Sequence, residues 1–140
     1  LKRNLKEHVS TAGESSFAGA RETMTKWMEA VSTGRIEDIL NLYAPDAILV
    51  PTLSNEIVVT EAGRRRYFEF LLSDGGPACT VDHEETRIDR GFSTVRIGGT
   101  YTFCFRRPSG EETVPARFLF TFEKLDGHWR ITGHHSSRLL

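Results

Sequence analysis

A chain of 140 residues with 18 Lys and Arg against 19 Asp and Glu, a net charge of -1, has room for one ordinary domain. It carries no bulk charge that would draw it to nucleic acid or to an anionic membrane, and no apolar run approaches the roughly 20 residues that span a bilayer. Cys79 and Cys104 are too few for a secreted disulfide framework and read as buried thiols, with a single bond between them as the alternative.

Residues 1–16 are polar and rich in serine and glycine, and are expected to form a flexible lead-in. From Ala18 the spacing of Met24, Trp27, Met28 and Val31 draws an apolar helical stripe, which Gly34 ends. Ile36, Ile39, Leu40 and Tyr43 form a second stripe, stopped by Pro45. The run AILVPTLSNEIVV then predicts a short strand, a break at Pro51 typical of an edge or bulge, and a second strand through Val59. EAGRRRYFEFLLS predicts a third helix that packs Tyr67, Phe68, Leu71 and Leu72 and leaves Arg64, Arg65 and Glu69 in water. Four longer strands follow. Val95, Ile97, Tyr101, Phe103 and Phe105 alternate, as do Phe118, Phe120 and Phe122, and Asp126–Gly127 turns into the last strand. An aromatic sheet face needs a cover, and the helices supply it, so the fold class is α+β without a linker or an internal repeat. Gly98 and Gly99 allow that sheet to bend around a cavity.

The last strand carries GHHSS. Side chains alternate along a strand, so His134 and Ser136 share one face and His135 and Ser137 the other. Periodicity alone does not choose between these pairs. One imidazole and one hydroxyl on a pocket wall suit proton exchange and the orientation of a small polar ligand, while half-exposed sheet residues are the plain alternative. A metal site fits poorly, because adjacent strand residues diverge and no third ligand stands at a zinc spacing. There is no Gly-x-Ser-x-Gly elbow, no phosphate-binding glycine loop and no Cys-x-x-Cys pair. Arg64, Arg65 and Arg66 read as a solvated helix face rather than an anion site. Thr52, at the break after Pro51, is placed to point a hydroxyl into a cavity without disturbing a ladder.

With YAPDAILVPTLSN, RRRYFEFLL, GTYTFCF, ARFLFTFEKLDGHWRI and HHSS in order, residues 23–139 resemble the association-domain-like branch of the nuclear-transport-factor-2-like superfamily. Within it the chain is similar to iota-class carbonic anhydrases, with PTLSN, YFEFLL and HHSS the more specific elements. The resemblance implies a cone-like fold over residues 17–140, in which a curved antiparallel sheet packs against three N-terminal helices and encloses a pocket. It implies a homodimer and reversible hydration of carbon dioxide to bicarbonate. Thr52, Tyr67, His135 and Ser137 are the implied catalytic residues. Tyr101, Phe103, Phe120, His134 and Ser136 are the implied surroundings of the substrate. That family contains metal-dependent and metal-free members. Gly133 stands here where many relatives carry a third histidine, so the expectation is a site without metal or other cofactor. A noncatalytic oligomerisation or ligand-binding module, and an acid–base enzyme for a larger substrate, are the competing readings of such a fold.

Overall fold

The structure, a computed structural model, describes residues 2–140, with side chains described from Thr11 onward apart from Gly75. Helix α1 spans Lys2–Thr33 and ends at Gly34, whose φ of 71° favours a residue without a Cβ. The flexible lead-in expected at residues 1–16 lies mostly outside the residues whose side chains are described; from Thr11 on the chain is helical, and buried Ser16 donates its hydroxyl to Phe92 O at 2.6 Å.

Helix α2 (Ile36–Asn41) leads straight into strand β1 (Tyr43–Val50). Tyr43 therefore opens a strand instead of closing a helical stripe. Pro45 is tolerated there because β1 is the sheet edge and its register slips between Tyr43 and Ile48. The second short strand expected around Val58 reduces to a single bridge, in which Leu49 and Val58 exchange two backbone hydrogen bonds. Helix α3 (Glu61–Leu71) is capped by Thr60, whose hydroxyl accepts from Gly63 N.

After one 3-10 turn at Ser73–Gly75 come β2 (Pro77–Ile88), β3 (Thr94–Arg107), β4 (Gly110–Leu125) and β5 (His128–Arg138). The sheet order is β1-β5-β4-β3-β2, antiparallel throughout except for β1, which lies parallel to β5. This is the expected α+β cone, with the curved sheet packed on the helices. Its core lies between them. Trp27 of α1, 1% exposed, stacks on Tyr101 and meets Phe68, Phe103 and Phe120 edge-on.

Arg64 departs from the amphipathic reading of α3. It is 1% exposed, and donates from Nη1 to Ala47 O at 3.1 Å and from Nη2 to Pro45 O at 3.0 Å. The irregular part of β1 leaves carbonyls without ladder partners, and the guanidinium supplies them. The two cysteines are free; Cys79 faces the core from β2 and Cys104 sits on the opposite sheet face.

Strand β2 bulges between Val81 and His83, opposite Tyr101 and Thr100 and next to the glycine pair of β3, which faces Glu84 and Glu85. A Cβ on Gly99 would lie 1.9 Å from His83 O, so the bulged backbone occupies the place of a side chain. Gly99→Ala is expected to cost about 1–3 kcal/mol through this overpacking, read by urea denaturation. Gly98→Ala, whose nearest neighbour is the movable tip of Leu119 at 3.2 Å, should cost clearly less. Equal losses would mean that the close approach does not set the bend.

Candidate active site in the cone

The alternation of β5 is interrupted. Ile131 is buried and pairs with Phe122, but the next aligned pair is Gly133 with Thr121, so Thr132 is an extra residue. One extra residue inverts which side chains face inward. Counted from Ile131 without the bulge, His135 and Ser137 would enter the cone; with it, His134 and Ser136 do, each 5% exposed.

His135 is exposed and half-buried Ser137 lies on the outer sheet face, where Arg117 Nη2 donates to its hydroxyl at 3.4 Å. These two residues, expected in the pocket, are outside it. Their places are taken by the pair on the alternate face.

His134 and Ser136 belong to a continuous buried line of polar groups. Trp27 Nε1–H donates to the Tyr43 hydroxyl at 3.0 Å, and that hydroxyl lies 2.9 Å from His134 Nδ1. His134 Nε2 is 3.2 Å from the Tyr101 hydroxyl, which donates to Ser136 Oγ at 2.6 Å. Ser136 Oγ in turn is hydrogen-bonded to Thr52 Oγ1. The line joins α1, β1, β5, β3 and the break after Pro51. Its aromatic setting is continuous too, since Phe120 stacks on the imidazole with ring centres 3.9 Å apart.

A small cavity lies against this line. Its walls include Leu49, Leu71, Tyr67 and Phe103, with Tyr101, His134 and Ser136 on the polar side. Its free volume of about 10 Å³ has space for about one water molecule. Tyr67 also lines an open groove with Leu53, Ser54 and Phe70, and so stands between the cavity and the surface. Thr52, Tyr67, Tyr101, Phe103, Phe120, His134 and Ser136 thus gather at or beside one place. Sequence reasoning assigned Trp27 to packing and Tyr43 to a helix; the signal in the sequence was that an indole N–H and a phenol on buried stripes each require a partner.

Burial decides the protonation states. Desolvation, aided by the nearby His135, holds the His134 imidazole down at about 3. Tyr43 and Tyr101 are pushed well above the usual phenol range, mainly by burial, and Tyr67 is raised to about 12, also by burial. The site is therefore electrically neutral at physiological pH. It offers donors, not a charge.

These residues do not fit a metal. Both ring nitrogens of His134 are committed to tyrosine hydroxyls, His135 points to the other sheet face, and no cluster of three or more His, Cys, Asp and Glu forms among the described residues.

The SnoaL-like domain profile matches residues 20–140. A protein of Xanthomonas campestris provisionally assigned as a calcium/calmodulin-dependent protein kinase II association domain is 35% identical, covering 83% of this chain and 82% of its own, with a TM-score of 0.76. More distant folds include a protein of Novosphingobium aromaticivorans provisionally assigned as a scytalone dehydratase, at 9% identity, with 94% of this chain and 89% of that one covered and a TM-score of 0.82. A protein of the nuclear-transport-factor-2-like family from Streptomyces avermitilis, provisionally assigned as a dehydratase, is 12% identical, with 91% of this chain and 98% of that one covered and a TM-score of 0.81. No curated protein matches the sequence. The chain belongs to the SnoaL-like family, in the association-domain branch of the nuclear-transport-factor-2-like superfamily.

The depressed His134 has a measurable consequence. Between pH 6.5 and about 3 an unfolded chain binds a proton there that the folded chain refuses. Its contribution is neutral above pH 6.5 and turns against folding as pH falls, by about 1.4 kcal/mol per unit. His134→Gln is expected to reduce the slope of unfolding free energy against pH between 4 and 6 by about that amount. Identical slopes in wild type and His134→Gln would show that the imidazole is not held neutral.

Proposed function

We propose that this protein hydrates carbon dioxide reversibly to bicarbonate and a proton, without a metal, in the cavity beneath Thr52, Ser136 and Tyr101. One observation carries the reading: a cavity of water size has linked hydroxyls on one side and an apolar wall of Leu49, Leu71 and Phe103 on the other. Carbon dioxide has no net dipole and suits that wall. Water suits the hydroxyls.

In the reaction the water oxygen forms a bond to carbon, and one C=O electron pair moves onto its oxygen. The hydroxyl line supplies hydrogen bonds to that developing negative charge, where a single preorganised donor is typically worth about 10²–10³ in rate. The proton lost by water passes to a base in solvent along the side guarded by Tyr67. The resting cavity has space for about one water, so Tyr67, between the cavity and the open groove, has to move aside for carbon dioxide to take the apolar wall beside that water, and the walls then fix their approach. His134 is not the base, because burial opposes its protonation and both ring nitrogens are hydrogen-bonded to tyrosines; it holds Tyr101 in place.

Ser136→Ala should lower carbon dioxide hydration about 10²-fold in stopped-flow assays, and Ser137→Ala should leave it near the wild-type value. Protein stripped of metal, with residual metal quantified, should retain its turnover. Loss on stripping and recovery with stoichiometric metal would overturn the metal-free reading. A folded wild-type protein without hydration activity would leave a noncatalytic small-ligand or oligomerisation module.

The reading also carries a homodimer. Ile48, 52% exposed, and Leu119, 45% exposed, lie on the outer sheet face with His135, and a second copy would cover them. Light scattering should give twice the chain mass for wild type and a single chain for Leu119→Glu; a monomeric wild type would remove the dimer.

A further inference from the structure

The two ends of the buried line differ chemically, and that difference has a direction. The indole of Trp27 has an N–H and no acceptor, so the Tyr43 oxygen must receive from it. Tyr43 is 4% exposed, and the group within reach of its own proton is His134 Nδ1. If Nδ1 carried the ring hydrogen, Tyr43 would accept twice and its buried hydroxyl hydrogen would have no partner. An unsatisfied buried donor of this kind biases an equilibrium on the order of tenfold or more. Tyr43 therefore donates to Nδ1, and Nε2 holds the ring hydrogen.

The remaining directions are set in turn. Nε2–H donates to the Tyr101 oxygen, Tyr101 donates to Ser136, and Ser136 is left to donate to Thr52 or to a molecule in the cavity. Bonds aligned in this way polarise one another along the chain. A reversed line would present acceptors to the cavity and suit a base. The line as built presents donors and suits a negatively charged oxygen.

We propose that Tyr43, which does not line the cavity, and Trp27, whose ring lines it but whose N–H is turned to Tyr43, are positioning residues that fix His134 as its Nε2–H tautomer and thereby orient every hydroxyl of the line toward the cavity. The tautomer rests on the structure alone; its effect on turnover rests on the carbon dioxide reading. Neither residue requires an exchangeable proton of its own to reach the reactants.

Long-range proton–nitrogen NMR on nitrogen-15-labelled protein at pH 7 distinguishes the tautomers directly. Wild type is expected to show His134 with a protonated Nε2 and a bare Nδ1, at a ratio of about tenfold or more. Tyr43→Phe keeps the ring and removes the donor to Nδ1, so the Nδ1–H form should rise to a comparable population; Trp27→Phe should shift it in the same direction. An Nδ1–H or doubly protonated His134 in wild type would overturn the assignment. An unchanged tautomer ratio in folded Tyr43→Phe would overturn the orienting role, and this variant decides the matter even if Trp27→Phe does not fold. In hydration assays Tyr43→Phe should lower kcat about tenfold with little change in KM. Wild type without hydration activity would sink the carbon dioxide reading and leave the tautomer assignment to stand or fall on the NMR result.

Discussion

A polar atom inside an aromatic core has to be hydrogen-bonded where it sits, and the line from Trp27 to Thr52 is how this fold meets that demand. An indole, two phenols, an imidazole and the Ser136 hydroxyl are buried among Phe68, Phe103, Phe118 and Phe120, and half-buried Thr52 ends the line. Left apart, each would cost about 1–3 kcal/mol in an unmade bond. Joined, they fix one another's positions. The layers of the cone are tied by that requirement as well as by apolar area: α1 to β1 through Trp27 and Tyr43, β1 to β5 through His134, β5 to β3 through Tyr101, and β5 to the loop after β1 through Ser136 and Thr52.

The same line explains why the site is neutral. Every ionisable member is surrounded by rings and receives or gives neutral hydrogen bonds, so desolvation outweighs any stabilisation of charge. The buried cation nearby, Arg64, is spent on the Pro45 and Ala47 carbonyls and faces the Tyr43 ring from 5.9 Å. Its task is structural. By supplying donors to the irregular start of β1 it holds the segment from which Tyr43 reaches His134, so a charge that the sequence suggested was solvated becomes part of the frame behind the site.

Much of the architecture was legible because it rests on period. The stripe through Met24, Trp27 and Val31, the alternation of Phe118, Phe120 and Phe122, and the turn at Asp126–Gly127 each reflect one local geometry, and helix, strand and turn form where those patterns stand. Tyr43 was not legible in this way. Its spacing from Ile39 and Leu40 fits a helix, but α2 is only six residues long and the pairing of Tyr43 with Ile131 carries the chain into the sheet. Tertiary pairing overrode a local pattern. Arg64 escaped for a related reason: its partners are carbonyls freed by a register slip that no composition rule announces.

The histidine pair shows the limit most sharply. The sequence establishes that His134 and Ser136 share a face and that His135 and Ser137 share the other, and this division holds in the structure. Which face is inward depends on an integer, the parity of the residues between a buried anchor and the motif, and a bulge changes that integer by one. Thr132 does so between Ile131 and Gly133. The smallness of Gly133 does not create the bulge, since a Cβ there would meet Thr121 at 3.5 Å, an ordinary contact. The inward turn of His134 instead agrees with its surroundings: Phe120 stacks beneath it and hydroxyls meet both ring nitrogens. An imidazole with two waiting partners, against one that would meet solvent, is a choice that the whole fold makes and the strand by itself does not.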